Sequence, residues 1–389
     1  MILRLREMAL KKNRLGMIVI LLLGIAIILF SKKEILNAYF STVKLQFLTN
    51  YTSTHYLYDV EEQTGIEGIY SGYLNGLDNS VTYYLEQDDL KAARVQAAGN
   101  YYGVGLELMW NLDGQSLTVI NVIKDSPADR EGIQVGDLIT EVGGIKVLPA
   151  NKQMIITTAF SNASKPIQFT IESDHEVTKV SLTPEEVMLE DVTLEHMDEV
   201  LYIKLNTIKD GTSARLGQMI DAIATSLYKG IILDVRGLST DNLEEVSKIS
   251  DLFLDEGIAF KVKSKAEEIT VFKTNNGAYD TKVAVLMNSE TLGGAEALVL
   301  ALKGYATLYG SNTGGLFYTK DIVAFEDGTG MSVASGKICD RYGKQLLEEG
   351  VVPDIRLYLD EEDQINRFVN GYLTRQEDSY LEAVLEKFQ

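Results

Sequence analysis

The chain has 389 residues, of which 46% are hydrophobic and 24% are charged, and its formal net charge is −20. This length and apolar content are sufficient for two or three packed domains, so the composition excludes a disordered protein. Because an acidic surface repels nucleic acid and anionic lipid, we expect neither to be a partner of this surface.

The amino terminus combines a basic cluster with an uncharged apolar run. Residues 1–33 carry a net charge of +6, so the remaining residues carry −26. Leu15–Phe30 reads LGMIVILLLGIAIILF and would be about 24 Å long as a helix. Lys32 and Lys33 follow directly and can extend to the lipid headgroups, so this run is long enough to cross a membrane.

Three interpretations compete for this run: a signal anchor, a cleaved signal peptide and a buried core helix. No small-x-small cleavage site follows the run, and a core helix would not have five positive charges immediately before it. A signal anchor is therefore favoured. By the positive-inside rule, residues 1–14 are then a cytoplasmic basic segment and residues 15–30 span the cell membrane once, with the main body outside the cytoplasm.

Two regions of different pattern follow the anchor. A helical region is expected at residues 31–97, where apolar residues of Asp59–Leu77 recur with the spacing of one helix face. This stripe predicts an amphipathic helix that packs on a larger body. Residues 98–183 alternate short apolar runs with glycines and polar turns, which predicts a small β-rich domain.

An α/β core is expected at residues 184–389. Strand and helix patterns alternate there, as in Val200–Leu205, which is followed by a helical pattern and then by the apolar run Ile231–Val235. The next helix is expected to begin at a cap formed by Thr240 or Asp241, because a side-chain oxygen at that position can accept a free N–H of the first turn.

The sequence does not indicate a metal or cofactor site. Cys339 is the single cysteine, so no disulfide can form within the chain, and the three histidines, His55, His175 and His196, form no HExxH motif. The sequence also contains no GxSxG elbow and no P-loop motif. We therefore expect neither a cofactor nor a metal ion.

The stretch from Val285 to Leu316 reads VLMNSETLGGAEALVLALKGYATLYGSNTGGL. An apolar strand runs through a turn into a helix whose apolar residues recur at helical spacing. The stretch resembles the S41 family, the carboxy-terminal processing or tail-specific proteases, in which the same turn has a run such as N-G-G-S-A-S-A-S-E-I. The resemblance implies the α/β core of an S41 peptidase.

In this resemblance the catalytic positions of the family fall on residues that cannot perform the reaction. The nucleophilic serine aligns with Gly293, and the general-base lysine aligns with Leu316. The mechanism needs a serine hydroxyl and a neutral lysine amine that removes its proton. Glycine has no hydroxyl and leucine accepts no proton, so the resemblance implies a degenerate member that lacks the Ser/Lys dyad.

Two further expectations concern the same turn. The backbone amides around Gly293 and Gly294 lie at a helix start, where an oxyanion hole could be retained. Glu296 aligns with a glutamate of the family, and a helix-capping or packing role is favoured for it.

A relocated catalytic pair is left open by three nearby residues. Ser289 or Thr291 could act together with Lys320, which lies four residues after the lysine position. Against such a pair, the threonine lies two places before the nucleophile position, so its side chain points from a different part of the turn. Asp321 also follows Lys320 directly, which favours a solvated charge pair.

The resemblance extends over nearly all of the chain beyond the first fifty residues. The similar runs are Ile66–Asp78, Tyr102–Leu106, Ser126–Ile139, Gly230–Arg236 and Glu349–Ile355. Two departures occur: Asn79 replaces a proline, and Gly237–Asp241 replaces the family's N-N-P-G-G loop. The second departure removes another catalytic element.

The two runs within residues 98–183 resemble the signature runs of a PDZ domain. The candidate peptide-binding residues are Tyr102, Gly103, Val104, Gly105 and Leu106. Glycines there let backbone N–H groups converge on a carboxylate, and the following strand edge can add a peptide as an extra strand. A helix with Met154, Ile155, Ala159 and Phe160 would form the other wall of the groove and favour apolar C-terminal side chains.

Three functions are consistent with these patterns. The first is a membrane-anchored pseudopeptidase whose PDZ groove binds the C-termini of polypeptides. The second is a divergent serine-type endopeptidase that uses Ser289 or Thr291 with Lys320. The third is a structural envelope protein, whose acidic surface or oligomeric contacts matter more than any groove. For the PDZ domain itself, the alternative is a module that packs on the core and binds no external peptide.

Overall fold

The computed structural model describes residues 42–59, 62–77, 80–111, 114–159, 164–173, 176–223, 228–275, 279, 281–346, 349–358 and 378–388. Contacts divide the chain into one unit of Met1–Gly76 and a second of Leu77–Gln389. The predicted anchor Leu15–Phe30 lies outside the described residues, as do His175 and Phe160. Within the described part of the chain, no helix combines the length and apolar character that crossing a membrane requires.

The first unit is helical where it is described. Residues 42–55 are helical, and helix α1 spans Glu62–Asn75. The amphipathic helix predicted from the sequence is therefore present. Leu74 is buried, but Tyr70 and Tyr73 of the same stripe are exposed, so the expected packing of the whole stripe is found only in part.

The second unit contains all the strands of the described chain. They are β1 Tyr83–Leu85, β2 Tyr101–Gly103, β3 Leu106–Trp110, β4 Leu117–Val122, β5 Leu138–Val142, β6 Ile145–Lys146, β7 Ile167–Ser173, β8 Glu176–Leu182, β9 Glu185–Val187, β10 Val192–Met197, β11 Val200–Leu205, β12 Gly230–Asp234, β13 Ser239–Thr240, β14 Gly257–Ser264, β15 Ile269–Thr274, β16 Val283–Met287, β17 Leu292–Gly293, β18 Thr307–Gly310, β19 Tyr318–Ala324, β20 Gly330–Cys339 and β21 Ile355–Arg356. Its helices are α2 Gln87–Ala97, α3 Pro127–Arg130, α4 Lys152–Ala159, α5 Thr212–Asp221, α6 Leu243–Asp251, α7 Gly294–Leu302 and α8 Ser379–Leu385.

The core is a six-stranded sheet in the order β10-β11-β12-β16-β18-β21. All its pairs are parallel except β10 with β11. The middle strands are nearly continuous apolar runs, as expected for a sheet covered on both faces, and all five residues of β12 are buried. Apolar residues of α5, α6 and α7 cover one face, and those of α8 pack on the other. The predicted α/β core is thus present.

A second, five-stranded sheet has the order β1-β20-β14-β15, with β19 also paired to β20. Strand β1 belongs to the region that the sequence assigned to a helical N-terminal segment, but Tyr83–Leu85 pairs with Gly330–Ser332 of β20. Residues 31–97 are therefore not helical throughout, because this short strand interrupts the region before α2. A three-residue strand that pairs with a strand some 250 residues away has no local sequence pattern from which it could be predicted.

The β-rich domain has the sheet order β3-β4-β5-β7-β8, with β6 paired to β5. Its interior is a separate cluster of buried apolar residues that includes Val119, Ile139 and Phe169. Strand β3 pairs only with β4 in this sheet, so β3 is an edge strand. An edge strand presents unpaired backbone groups to which an extended peptide can add.

The start of α6 corrects one detail of the sequence interpretation. Its N-cap is Asn242, whose side chain accepts the N–H of Glu245 at 3.1 Å, rather than Thr240 or Asp241. Thr240 instead belongs to β13 and pairs with Gly293 of β17. Its hydroxyl accepts the N–H of Asn242 at 3.1 Å, so it supports the cap from one turn earlier.

A buried ionic cluster joins the end of β12 to α8. Arg236 donates to both oxygens of Asp378, at 3.0 and 2.7 Å, and also to Asp234. Tyr202 donates to Asp234 at 2.8 Å, and the side chain of Asp234 is only 1% exposed. Because Asp378 also caps α8 by accepting the N–H of Leu381 at 3.2 Å, one guanidinium fixes the last described helix against the sheet.

Replacing Arg236 with alanine should destabilise the protein strongly. The substitution leaves the carboxylates of Asp234 and Asp378 largely buried without their cation, which typically costs about 3–5 kcal/mol. Urea denaturation followed by circular dichroism measures the change. Glu199→Ala is the matched control, because the pair of Glu199 with Lys229 is exposed and should contribute less than about 1 kcal/mol. Equal effects of the two substitutions would contradict this role of the cluster.

Candidate functional site

The turn between β16 and α7 is held by hydrogen bonds of two of its own side chains, the buried Thr291 and the partly exposed Asn288. The hydroxyl of Thr291 donates to the carbonyl of Val235 at 2.9 Å and accepts the N–H of Asn288 at 3.2 Å. The side chain of Asn288 accepts the N–H of Gly237 at 3.1 Å. These bonds attach the turn to the loop after β12, which is the loop where the sequence departs from the N-N-P-G-G pattern.

Gly293 ends this turn in a conformation that other residues rarely adopt. Its φ is 61° and its ψ is −120°, and a Cβ atom placed on it would lie 3.1 Å from the carbonyl oxygen of Thr240. Strained strand-to-helix turns of this kind expose the nucleophile in hydrolases. The position aligned with the nucleophilic serine thus has the backbone shape of such a turn, but a glycine occupies it without strain.

The carboxylate of Glu296 brings the two aligned catalytic positions together. Its Oε2 accepts the backbone N–H of Gly293 at 3.1 Å and that of Leu316 at 2.7 Å. Its Oε1 accepts the N–H of Gly315 at 2.8 Å and the hydroxyl of Thr313 at 2.5 Å. Gly293 and Leu316 are therefore neighbours in space, as the resemblance implies for the serine and lysine positions.

Glu296 also performs the capping role expected for it. The side chain is 0% exposed and lies in the first turn of α7, where it accepts the N–H of the N-cap residue Gly293. Burial raises the pKa of Glu296, while the four hydrogen bonds that it accepts act in the opposite direction. Thr313 accepts the N–H of Val351 at 2.7 Å and so extends the network to the next loop.

Part of the expected oxyanion hole is already engaged. The N–H of Gly293 is bonded to Glu296, and Gly293 and Gly294 are both buried. A Cβ on Gly294 would lie 2.8 Å from the carbonyl oxygen and 2.9 Å from Cγ2 of Thr240, so Thr240 packs against this glycine. The amide of Gly293 is therefore not available to a substrate carbonyl in this arrangement.

The three residues considered for a relocated catalytic pair have other partners or positions. Thr291 is fully buried, and its hydroxyl is used within the turn. Ser289 is exposed. The ammonium of Lys320 lies 3.1 Å from Oδ2 of Asp241, with both side chains about one-third exposed. The charge pair expected for Lys320 therefore exists, but its partner is Asp241 and not Asp321.

The proposed carboxylate-binding loop of the β-rich domain is closely packed around its second glycine. Gly105 has a φ of 85°, and a Cβ on it would lie 2.1 Å from Ser126. Its carbonyl accepts the N–H of Ile123 at 2.9 Å, and the carbonyl of Val104 accepts that of Ala128 at 3.0 Å. The loop is therefore anchored through its carbonyls to the chain between β4 and α3, next to the edge strand β3.

Tyr101 is a residue of this loop that the sequence interpretation missed. A Cβ on Gly103 would lie 2.4 Å from the hydroxyl oxygen of Tyr101, so the phenol lies against the loop. Burial raises the pKa of Tyr101, and a hydrogen bond from the N–H of Gly105 opposes this shift. The hydroxyl thus uses an N–H that would otherwise be available to a ligand carboxylate. Successive side chains of a strand point to opposite faces, so the position of Tyr101 next to Tyr102 in β2 is the only sequence signal for this placement.

Tyr102 and the wall helix have different positions from those expected. Tyr102 is 3% exposed, and its hydroxyl lies 3.0 Å from Nζ of Lys91 and 3.1 Å from Oγ of Ser164, so its ring packs inside. In α4, Ile155 and Ala159 are buried in the core of the domain rather than facing a groove. Met154 is 56% exposed and remains the apolar residue of α4 that can contact a ligand.

Comparisons with known proteins agree with both parts of this architecture. The model of Peptidase family S41 matches residues 199–357, and that of the PDZ domain matches residues 118–157. A probable CtpA-like serine protease of Staphylococcus haemolyticus is 24% identical over 297 residues, which are 75% of this chain and 60% of that protein. The corresponding Staphylococcus aureus protein is 24% identical over 305 residues, which are 77% of this chain and 61% of that protein. The chain thus spans about three fifths of the length of these relatives.

Two solved structures have a similar fold. The photosystem II D1 C-terminal processing protease matches with a TM-score of 0.53 and 22% identity, over 80% of this chain and 86% of that one. A putative S41 protease from Bacteroides fragilis matches with a TM-score of 0.55 and 16% identity, over 82% of this chain and 89% of that one. Fold and site together define a PDZ-bearing protein with a serine-peptidase type of α/β core. Residues 199–357 therefore match peptidase family S41 and have its fold, beside a PDZ domain.

Replacing Gly293 with alanine should destabilise the core, because its φ of 61° is unfavourable for any residue with a Cβ. The expected cost is about 1–3 kcal/mol in the free energy of unfolding, measured by urea denaturation. Gly217→Ala is the control, because Gly217 lies inside α5 and a Cβ there meets Leu252 at an ordinary contact distance of 3.5 Å. That substitution should be neutral or stabilising, by up to about 1 kcal/mol. If Gly293→Ala were as stable as Gly217→Ala, the turn would not have this backbone shape in solution.

Proposed function

We propose that this S41 family protein is a pseudopeptidase whose PDZ domain binds the C-termini of polypeptides. The observation that carries the proposal is the pair of residues bonded to Oε2 of Glu296, namely Gly293 and Leu316. They occupy the positions of the nucleophile and the base, and neither has a side chain that can act as one. The scaffold for a dyad is therefore kept without the groups that perform the reaction.

The surroundings of the dyad positions support the same conclusion. The N–H of Gly293 is bonded to Glu296, so a tetrahedral intermediate would lack this donor. The hydroxyl of Thr291 is already bonded to the carbonyl of Val235, and Lys320 is paired with Asp241. Both candidate groups of a relocated pair are therefore already bonded to other partners.

The binding part of the proposal is supported by the edge strand of the PDZ domain. Strand β3 follows Gly105 directly and has a sheet partner only in β4. An extended peptide can therefore add beside β3 with its terminal carboxylate at the glycine loop, as in β-strand addition. In the observed arrangement the hydroxyl of Tyr101 lies at this loop, so a bound carboxylate would replace it at the N–H of Gly105.

The binding and cleavage activities can be tested on the purified full chain. Fluorescence anisotropy with a labelled peptide that ends in an apolar residue should show saturable binding, and the same peptide with an amidated C-terminus should not bind. Tyr101→Phe should tighten binding roughly two- to tenfold, because a carboxylate no longer competes with a hydroxyl for one hydrogen bond. Incubation with the unfolded substrate β-casein should show no cleavage.

The outcomes separate the three functions that the sequence left open. Slow cleavage that is lost in Lys320→Ala would favour the divergent endopeptidase and refute the pseudopeptidase. Equal binding of the free and amidated peptides would refute recognition of C-termini. Neither binding nor cleavage would favour the structural envelope protein. Asp321→Ala is the control for Lys320→Ala, because it removes a neighbouring charge but leaves the pair of Lys320 with Asp241.

We further propose that Leu15–Phe30 anchors the protein in the cell membrane, with the PDZ and S41 parts outside the cytoplasm. The support is the uncharged apolar run preceded by a basic cluster. The full chain should remain in the membrane fraction after washing at alkaline pH. Leu22→Arg combined with Ile25→Arg should release it, since each charge near the middle of a span costs about 2.5–3.5 kcal/mol. Release of the unchanged chain by the wash would refute the anchor.

A further inference from the structure

A basic pocket lies on the second sheet of the core, apart from the Glu296 network. It has a volume of about 430 Å³, and its lining includes Lys263, Lys265 and Lys337 together with Tyr318 and Glu267. Volumes of this size are typical of small-molecule sites. The positive lining is notable because the chain as a whole has a net charge of −20.

The pocket is formed by the register of three adjacent strands. Lys263 of β14 lies directly opposite Lys337 of β20, and Lys337 lies directly opposite Tyr318 of β19. Directly opposed residues of antiparallel strands point to the same face, with Cβ atoms about 5 Å apart. Two ammonium groups and one phenol are therefore aligned side by side on one face of the sheet.

This alignment has an energetic cost in the absence of a ligand. Like charges directly opposite each other across strands destabilise a sheet. Glu267 offsets part of the cost, because its carboxylate forms an ion pair with Lys263. Lys337 has no carboxylate at ion-pair distance among the described residues, and its ammonium lies 3.5 Å from the amide oxygen of Gln345. The lining therefore has an excess of two positive charges.

We propose that this pocket binds a phosphate group, either as a free inorganic anion or as a small phosphate ester. A compact dianion between Lys263 and Lys337 would remove their mutual repulsion and form charge-assisted hydrogen bonds with both. Ser264 and Tyr318 also line the pocket, and residues of these types can donate a hydroxyl hydrogen bond to the remaining oxygens. The long-range field of an acidic protein opposes loose anion binding, so such a ligand needs this local arrangement.

Backbone hydrogen bonds connect the pocket to the Glu296 network. Tyr318 donates its N–H to the carbonyl of Leu316 at 2.9 Å, and the N–H of Leu316 is bonded to Glu296. A phosphate held by Tyr318 and Lys337 would therefore stabilise the strand that begins directly after the dyad positions. This site is independent of the PDZ loop, and its test does not depend on peptide binding.

Isothermal titration calorimetry of the full chain with inorganic pyrophosphate, at an ionic strength held constant with sodium chloride, tests the pocket. Saturable binding at one site is expected, and Lys337→Gln should weaken it at least about tenfold, as the loss of a charged hydrogen bond does. Glu267→Gln should tighten binding, because it frees Lys263. Lys229→Gln is the control, since Lys229 pairs with Glu199 elsewhere, and it should leave binding unchanged.

A parallel titration with glycerol phosphate distinguishes the two sources of the group. Binding of both probes indicates recognition of a phosphate ester, whereas binding of pyrophosphate alone indicates an inorganic anion. Absence of saturable binding of either probe would overturn the proposal. Equal weakening by Lys337→Gln and Lys229→Gln would do the same, because it would mean that the anion responds only to the overall charge. Circular dichroism spectra of each variant check that the fold is retained.

Discussion

The carboxylate of Glu296 is the interaction on which the architecture of the core site depends. It is fully buried, yet it accepts hydrogen bonds from three backbone amides and one hydroxyl that come from two separate loops. A buried carboxylate without these donors would cost several kcal/mol, so the start of α7 and the loop before Phe317 must stay together in the folded protein. This constraint places Gly293 next to Leu316.

This network does not depend on the side chains of residues 293 and 316. The conformation of Gly293, the capping by Glu296 and the bonds of Thr291 are all made by backbone groups or by other side chains. A glycine also avoids the strain that a residue with a Cβ has at a φ of 61°, and Thr240 packs against the neighbouring Gly294.

The glycine loop of the PDZ domain, with its edge strand β3, and the basic pocket differ from the core site around Glu296 in one physical respect. At both places the observed groups leave part of their binding capacity to be satisfied by something else: backbone groups at the edge of β3, and opposed ammonium groups at Lys263 and Lys337. The carboxylate of Glu296 in the core site, by contrast, is satisfied by groups of the protein itself. Function is therefore proposed at the two open sites, and the closed one is interpreted as structural.

The sequence by itself determined the α/β and PDZ architecture, the S41 resemblance and the absence of a hydroxyl and an amine at residues 293 and 316, because local patterns and residue identities suffice for these. Only the tertiary structure decided that Lys320 pairs with Asp241, that Tyr101 lies at the glycine loop and that β1 joins β20. It also decided that Asn242 rather than Thr240 caps α6. The ion pair of Lys320 and the pairing of β1 depend on the register and packing of segments far apart in the chain, which no local pattern encodes. The cap of α6 depends instead on the backbone conformation at three adjacent residues whose side chains can all cap a helix.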